Sequence, residues 1–179
     1  MIIGLTGYAR SGKDTVANIL VENYGYTRVA FADKIRELLY ETNPQVGSTR
    51  LQALVSEYGW DVAKSSPEVR HLLQELGVGA RKVFGESFWV HEAMKTMLND
   101  PRPDLNYVIT DVRFFNEADM IKANQGHLWR VERPGITAVN NHVSESELNL
   151  YAVNYIIENN GDLDNLTSLV SERMVGFLA

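Results

Sequence analysis

Two spacings of apolar residues alternate along the chain. Short apolar runs at Ile2-Ile3-Leu5, Thr27 to Phe31, Asn106 to Thr110, His127 to Val131 and Tyr155 to Glu158 predict strands. Between them apolar residues recur every three or four positions. Val16, Ile19 and Leu20 predict a helix over Thr15 to Tyr24 that Gly25 ends, and Ile35, Leu38 and Leu39 predict one over Lys34 to Tyr40. Further helices are expected over Asn116 to Asn124 and over Asp162 to Phe177, the latter with Leu163, Leu166, Leu169, Val170 and Met174 as its apolar residues. From Leu51 to Asn99 the helical spacing is uninterrupted by any strand: Leu51-Leu54-Val55-Tyr58, then Val69-Leu72-Leu73-Leu76, then Phe88-Trp89-Met94-Met97-Leu98. Pro67 suits a first helical turn, and Gly77 and Gly85 predict interruptions. Glu41 to Arg50, with Pro44 and Gly47, reads as a loop, and Ile136 to Ser144 as an irregular, mobile segment. Ser144 and Glu147 have capping-box spacing for a short helix through Tyr151.

Strands separated by helices imply an α/β fold: a five-stranded parallel sheet covered on both faces, three layers in all. The expectation is one domain over residues 1–179, with a helical insert over 41–100 and a lid-like segment over 133–147. Ligands of such sheets bind outside the carboxyl ends of the strands. That rule gathers the first loop, Asp33, Asp111, Arg113 and Asn160 on one rim.

The first loop carries the most specific chemistry. In Met1 to Thr15 a strand runs into a loop bounded by Gly7 and Gly12, and Lys13 opens a helix. Glycines at both ends let backbone N–H groups converge on an anion, and the helix points its positive dipole end at the same place. The pattern is that of a phosphate loop, except that Asp14 stands where Ser or Thr normally holds magnesium. Thr15 cannot substitute by a shift of one position, because one residue turns a helix by about 100°. Asp14 therefore either takes the metal, directly or through water, or only complements the helix dipole.

Composition narrows the class. The chain has 179 residues, 45% hydrophobic and 22% charged, which fits one globular domain with a substantial core. With no cysteine, disulfides, thiol catalysis and cysteine metal sites are excluded. His71, His91, His127 and His142 show no paired ligand spacing, and His142 reads as a hydrogen-bonded loop residue. The absence of a basic leader and of any membrane-length apolar run predicts a cytoplasmic protein. A formal charge of −6 argues against a nucleic-acid surface but not against an anionic small molecule held by a few arginines. Arg10, Lys13, Arg36, Arg70, Arg113, Arg130 and Arg133 are candidates for such a cluster.

These residues suit phosphoryl transfer, which asks a protein to align two anions and neutralise developing charge. The loop and Lys13 would hold a triphosphate, Asp14 and Asp111 would steer magnesium, and Arg10 and Arg113 would bridge the transferring group. Arg36 and Arg70 suit a clamp on an acceptor phosphate, or are exposed helix arginines. Asp33 reads as a substrate contact or an N-cap, Asp111 with Arg113 as a site pair or a local ion pair, and Trp89 as core or a base-stacking ring.

Gly7 to Thr15 (GYARSGKDT), Phe31 to Glu37 (FADKIRE), Arg70 to Gly77 (RHLLQELG) with Phe88-Trp89, Thr110 to Ile121 (TDVRFFNEADMI), Arg130 to Gly135 (RVERPG), His142 to Glu145 (HVSE) and the turn at Ile157 to Gly161 run in one order across nearly the whole chain. In these blocks the chain resembles the phage-type deoxynucleoside monophosphate kinases, a P-loop family in which Gly-Lys-Asp is the usual form of the loop. The resemblance implies ATP-dependent, magnesium-dependent phosphorylation of deoxynucleoside monophosphates, in the host cytoplasm if the gene is a phage's. It implies ATP contacts at Ala9, Arg10, Ser11, Gly12, Lys13, Asp14 and Thr15, lid arginines at Arg130 and Arg133, and adenine near Asn160. It implies a monophosphate site in the insert, with Asp33, Lys34, Arg36, Arg70, Gln74, Trp89, Asp111, Arg113 and Glu117 as substrate contacts. The insert is shorter than in some similar enzymes, and a homodimer is compatible with the sequence without being specified by it.

Competing expectations are a dephospho-coenzyme A kinase, in which Asp33 would act as base toward a sugar hydroxyl, another small-molecule P-loop kinase, a nucleotide-dependent switch or binding module, and a non-catalytic relative. Against the switch, no Asn-Lys-x-Asp guanine motif is present.

Overall fold

The computed structural model describes residues 1–102, 105–137 and 147–178. Much of the predicted lid, with His142 and Ser144, lies outside the described residues. In chain order the elements are β1 (Ile2–Thr6), α1 (Lys13–Tyr24), β2 (Thr27–Val29), α2 (Phe31–Thr42), β3 (Gln45–Val46), β4 (Thr49–Arg50), α3 (Leu51–Ala63), α4 (Pro67–Phe84), α5 (Phe88–Leu98), β5 (Tyr107–Ile109), α6 (Phe115–Ala123), β6 (His127–Glu132), β7 (Tyr155–Glu158) and α7 (Leu163–Leu178). They fall into two compact units, residues 1–30 with 95–179, and residues 31–94.

The first unit is built on a five-stranded sheet in the order β2-β5-β1-β6-β7. Every pairing in it is parallel. This is the expected α/β fold with five parallel strands. Its central strands are short and apolar because both faces are covered. On one face Ile3 and Leu5 of β1, Trp129 and Val131 of β6 and Ile157 of β7 join Val16, Leu20, Leu166 and Val170 of α1 and α7 in one buried cluster. The opposite face carries α6, whose Ile121 packs over Gly4 together with Val112 and Leu128. Register sets the strand ends level: Thr6 of β1 is paired with Arg130 of β6, and Trp129 with Tyr155 of β7.

The second unit is mainly helical and holds its own apolar cluster of Leu39, Val46, Leu51 and Val69. Four expectations need correction there. Phe31 opens α2 instead of closing a strand, and it is 4% exposed. Glu41 to Arg50 is not only loop: β3 and β4 pair as a minimal antiparallel hairpin that buries Val46. Gly77 does not interrupt α4 but lies buried inside it; Trp89 Nε1 donates to its carbonyl at 2.9 Å. Pro67 does open that helix and Gly85 does close it.

Tyr58, expected on the inner face of α3, is 54% exposed. The helix breaks at Gly59, whose φ of 77° and ψ of 166° are not helical, and Trp60 turns inward in its place. In the first unit the helix expected to end at Tyr151 is a turn over residues 147–150. Among the described residues no helix is long and apolar enough to cross a membrane.

Candidate active site

The carboxyl ends of β1, β5, β6 and β7 open onto a cleft of about 480 Å³, within the range of small-molecule sites. Its floor is the loop from Thr6 to Lys13. Gly7 and Gly12 have φ of 133° and 108°, where side chains are strained. Space forbids a side chain there as well: a Cβ on Gly7 would meet the Val131 carbonyl oxygen at 2.3 Å, and one on Gly12 would meet Asn159 Nδ2 at 2.4 Å. The loop is thus wrapped directly against β6 and the end of β7.

Lys13 is the first residue of α1, so its ammonium lies near the positive end of the helix dipole. It is balanced by two carbonyls of the loop, donating to Gly7 O and Tyr8 O at 2.7 Å each. Ser11 is 1% exposed and its Oγ makes no hydrogen bond among the described residues. An orphaned buried hydroxyl in a glycine-bounded loop is what an anion's oxygen would satisfy.

Around this floor stand Val112 and Arg113 beyond β5, Arg130 and Arg133 at the end of β6, and Glu158 and Asn160 at the end of β7. Four basic side chains, Lys13, Arg113, Arg130 and Arg133, therefore line one cleft in a chain of net charge −6. Arg10, Gly12, Asp14, Thr15 and Asp111 are not on its lining. Arg10 and Asp14 are exposed, and Asp111 is half-buried just beyond β5.

The guanidinium of Arg130 also holds the turn over residues 147–150. Its Nη2 donates to Leu148 O at 2.8 Å and to Tyr151 O at 2.9 Å. The same turn is fastened to α6. Glu147 accepts from the Phe115 N–H, Lys122 lies over the Tyr151 ring at 4.3 Å, and the Tyr151 hydroxyl donates to Asp119. Burial first, then the hydrogen bond and charge of Asp119, push the Tyr151 phenol up to about 12.

Glu117, expected at the substrate, is 4% exposed, and its Oε2 accepts from the backbone N–H of Arg113 at 2.7 Å and of Phe114 at 3.1 Å. The structure gives it the job of capping α6 and fixing the loop that carries Arg113. Trp89, 4% exposed, is likewise a packed residue of α5. Asp33, Lys34 and Arg36 lie in the first turns of α2, where Arg36 Nη1 donates to Asp33 Oδ1 at 2.8 Å and Lys34 pairs with Glu37. Arg70 and Gln74 are exposed on α4.

Two residues of the site were missed in the sequence. Tyr8 lines the cleft and accepts at its hydroxyl from Asn149 Nδ2 at 2.8 Å. Asn159, one place before the predicted Asn160, is 7% exposed, donates from Nδ2 to Ser11 O at 2.8 Å and from its backbone N–H to Glu132 O at 2.7 Å. It ties the phosphate loop to two strand ends. The only sequence signal was its place directly after an apolar strand. Asn159→Ala is expected to raise the KM for ATP about tenfold and to cost about 1–2 kcal/mol of stability, the range for a buried hydrogen bond whose partner is left unpaired. ATP titration and thermal melting would measure both; an unchanged KM for ATP in a folded variant would remove Asn159 from the site.

The comparisons with known proteins point the same way. The sequence profile of the deoxynucleotide monophosphate kinase family matches residues 1–61 and 54–170. A provisionally named deoxynucleotide monophosphate kinase of Acanthamoeba polyphaga mimivirus is 31% identical over 186 residues, covering 95% of this chain and 94% of that protein. Among solved structures, the dephospho-CoA kinase of Campylobacter jejuni superposes with a TM-score of 0.52 at 12% identity, covering 98% of this chain and 96% of that one. The shikimate kinase of Aquifex aeolicus gives a TM-score of 0.50 at 12% identity over 99% and 98%. At such identities the structures speak for the fold alone, whereas the profile and the viral relative speak for the family. The chain belongs to the deoxynucleotide monophosphate kinase family of phosphotransferases.

Proposed function

We propose that this chain moves the γ-phosphoryl group of ATP onto a deoxynucleoside monophosphate, releasing ADP and a deoxynucleoside diphosphate. The observation that carries the reading is the cleft itself, where a glycine-bounded loop with Lys13 and the orphaned Ser11 hydroxyl faces Arg113, Arg130 and Arg133. Against the carboxylates of Glu132 and Glu158 these four cations leave the cleft net positive, which suits an anion of several charges such as a triphosphate.

In this reading the loop N–H groups, Ser11 and Lys13 bind the β- and γ-phosphates, and Arg133 and Asn160 border the rest of ATP. An oxygen of the acceptor phosphate attacks the γ-phosphorus in line while the bond to the ADP oxygen breaks. That oxygen is already anionic, so no general base is required, and Asp33 and Asp111 serve orientation or the metal. Arg113, beside Lys13 in the cleft, neutralises charge on the equatorial oxygens as it develops. Asp33, Lys34, Arg36, Arg70 and Gln74 belong to the acceptor side.

The carboxylates that would hold magnesium are Asp14, at the start of α1, and Asp111, just beyond β5, both off the cleft lining. Among the described residues no three His, Asp or Glu side chains gather. Asp14 and Asp111 offer one carboxylate each, and magnesium typically takes one or two carboxylates, with phosphate oxygens and waters completing its shell. When bound, the ion would offset charge on the β- and γ-phosphates.

The test is a panel of deoxynucleoside and nucleoside monophosphates, with dephospho-coenzyme A alongside, assayed with ATP and magnesium for ADP release. Turnover on several deoxynucleotides is expected. No turnover on any monophosphate with intact ATP binding would overturn the proposal, and dephospho-coenzyme A outrunning every monophosphate would hand the site to that reaction.

A further inference from the structure

The turn over residues 147–150 is fastened at more points than a change of chain direction needs. Leu148 is 4% exposed, and its carbonyl accepts from the Tyr151 N–H at 3.0 Å as well as from Arg130. The chain beyond it is held too. Lys122 Nζ donates to Ala152 O at 2.8 Å, and Asn154 exchanges two bonds with Leu128 of β6, its N–H donating to the carbonyl and its Oδ1 accepting from the N–H, both at 2.8 Å. The stretch from Glu147 to Asn154 is therefore pinned along α6 and β6. Asn149, which is exposed, carries that support across to the phosphate loop: its Nδ2 donates to the Tyr8 hydroxyl at 2.8 Å.

Tyr8 stands in the crown of the loop, where the backbone has little else to hold it. It lies between two residues of positive φ, Gly7 at 133° and Arg10 at 66°. Arg10 takes this conformation with a side chain attached, and such backbone persists only where the surroundings impose it. The Tyr8 carbonyl accepts from the Ser11 N–H at 3.2 Å and from Lys13 Nζ at 2.7 Å. A phosphate that takes the ammonium leaves this carbonyl with the longer bond alone. The phenol on Asn149 then ties the crown to a support outside the loop.

We propose that Asn149 is a positioning residue for the phosphate loop and that it acts through Tyr8. With the phenol fixed, the carbonyl that holds Lys13 stays in place, and the loop keeps its anion-binding shape once the ammonium has turned to phosphate. Turn and loop share one frame, because Arg130, whose guanidinium holds the turn, is paired through its backbone with Thr6 at the entry to the loop. A loop already in its binding shape takes up an anion without first giving up conformational freedom, so the gain falls on affinity and not on the rate of transfer after binding. This assignment rests on the reading of the loop as the triphosphate site of a kinase.

The bond joins two side chains, so either end can be removed with the loop backbone left intact. Asn149→Ala and Tyr8→Phe are each expected to raise the dissociation constants of ATP and of inorganic tripolyphosphate about fivefold, by calorimetry on the full chain, and to leave kcat at saturating ATP within about twofold. The double variant should lose no more than the larger single loss, because both changes remove the same bond. Asn149→Ala is expected to melt within about 2 °C of the wild type, as befits an exposed side chain. Tripolyphosphate has neither base nor sugar, so a loss confined to ATP makes Asn149 a contact of the nucleoside and overturns the proposal. Losses that multiply in the double variant, or an unchanged affinity in Asn149→Ala, overturn it as well. A wild type that binds both anions but phosphorylates no monophosphate refutes the kinase reading, and the same titrations still decide the role of Asn149. A wild type that binds neither anion overturns both.

Discussion

Lys13→Ala is expected to lower kcat/KM for ATP by about three orders of magnitude, roughly 4 kcal/mol of transition-state stabilisation. The size follows from where the ammonium stands. Lys13 opens α1 and is pointed back over its own loop, held at 2.7 Å by the carbonyls of Gly7 and Tyr8. A cation there is opposed by the helix dipole and offset by carbonyls; a bound triphosphate would replace those carbonyls with charged oxygens, a stronger interaction. The side chain also has a structural share, because removing it takes the ammonium donor from Gly7 O and leaves Tyr8 O to the Ser11 N–H at 3.2 Å. Lys13→Met keeps the apolar stem and separates the two contributions. If charge is what matters, both variants lose activity alike while Lys13→Met melts closer to the wild type. Steady-state kinetics at several ATP concentrations would measure the loss, and a variant that retained wild-type kcat/KM would detach the loop from phosphate binding.

The loop's legibility in the sequence came from covalent facts: two glycines five apart, a lysine, and apolar runs on either side. The same is true of β7, which spans the four predicted residues, and of Gly25, whose left-handed φ of 68° ends α1 where the periodicity stopped. The misses share another cause, since each depended on a neighbour distant in the chain or on a single backbone angle. Phe31 is apolar in either a strand or a helix, and only its packing decided. Val46 reads as loop until a hairpin of two-residue strands buries it. Gly77 reads as a breaker, but inside α4 it takes the Trp89 indole N–H on its carbonyl, and Ile35 lies 3.2 Å from where a Cβ would be. The inward Trp60 follows from one positive φ at Gly59 that the three-and-four spacing does not encode. At the site, adjacent asparagines at the end of β7 are chemically identical, yet alternation along the strand buries Asn159 under the loop and leaves Asn160 at the cleft.

Arg113→Ala is expected to reduce kcat by about 10³-fold while the dissociation constant for ATP stays within about threefold. The contrast with Lys13 is geometric. Arg113 is outside the phosphate loop, on the exit from β5, and its backbone N–H is fixed by the buried carboxylate of Glu117 at 2.7 Å. Val112 beside it is anchored through its N–H to Leu5 O at 3.1 Å, so the guanidinium is carried on a stretch tied to both β1 and α6. Such anchoring matters for a group whose task is to meet charge that develops only during transfer: a preorganised donor loses nothing to reorganisation, and its removal shows in kcat more than in binding. Arg113→Lys keeps the charge but not the planar fork of donors, so recovery of less than about a tenth of the activity is expected. Glu117→Gln gives an independent reading, because it leaves Arg113 in place and weakens only the charge-assisted bonds that fix its backbone; a drop in kcat intermediate between wild type and Arg113→Ala, at unchanged ATP affinity, is the expected result. If Arg113→Ala instead loses ATP binding and kcat in equal measure, the arginine belongs to the nucleotide's ground state, and the developing charge must be met by Arg130, Arg133 or Arg10.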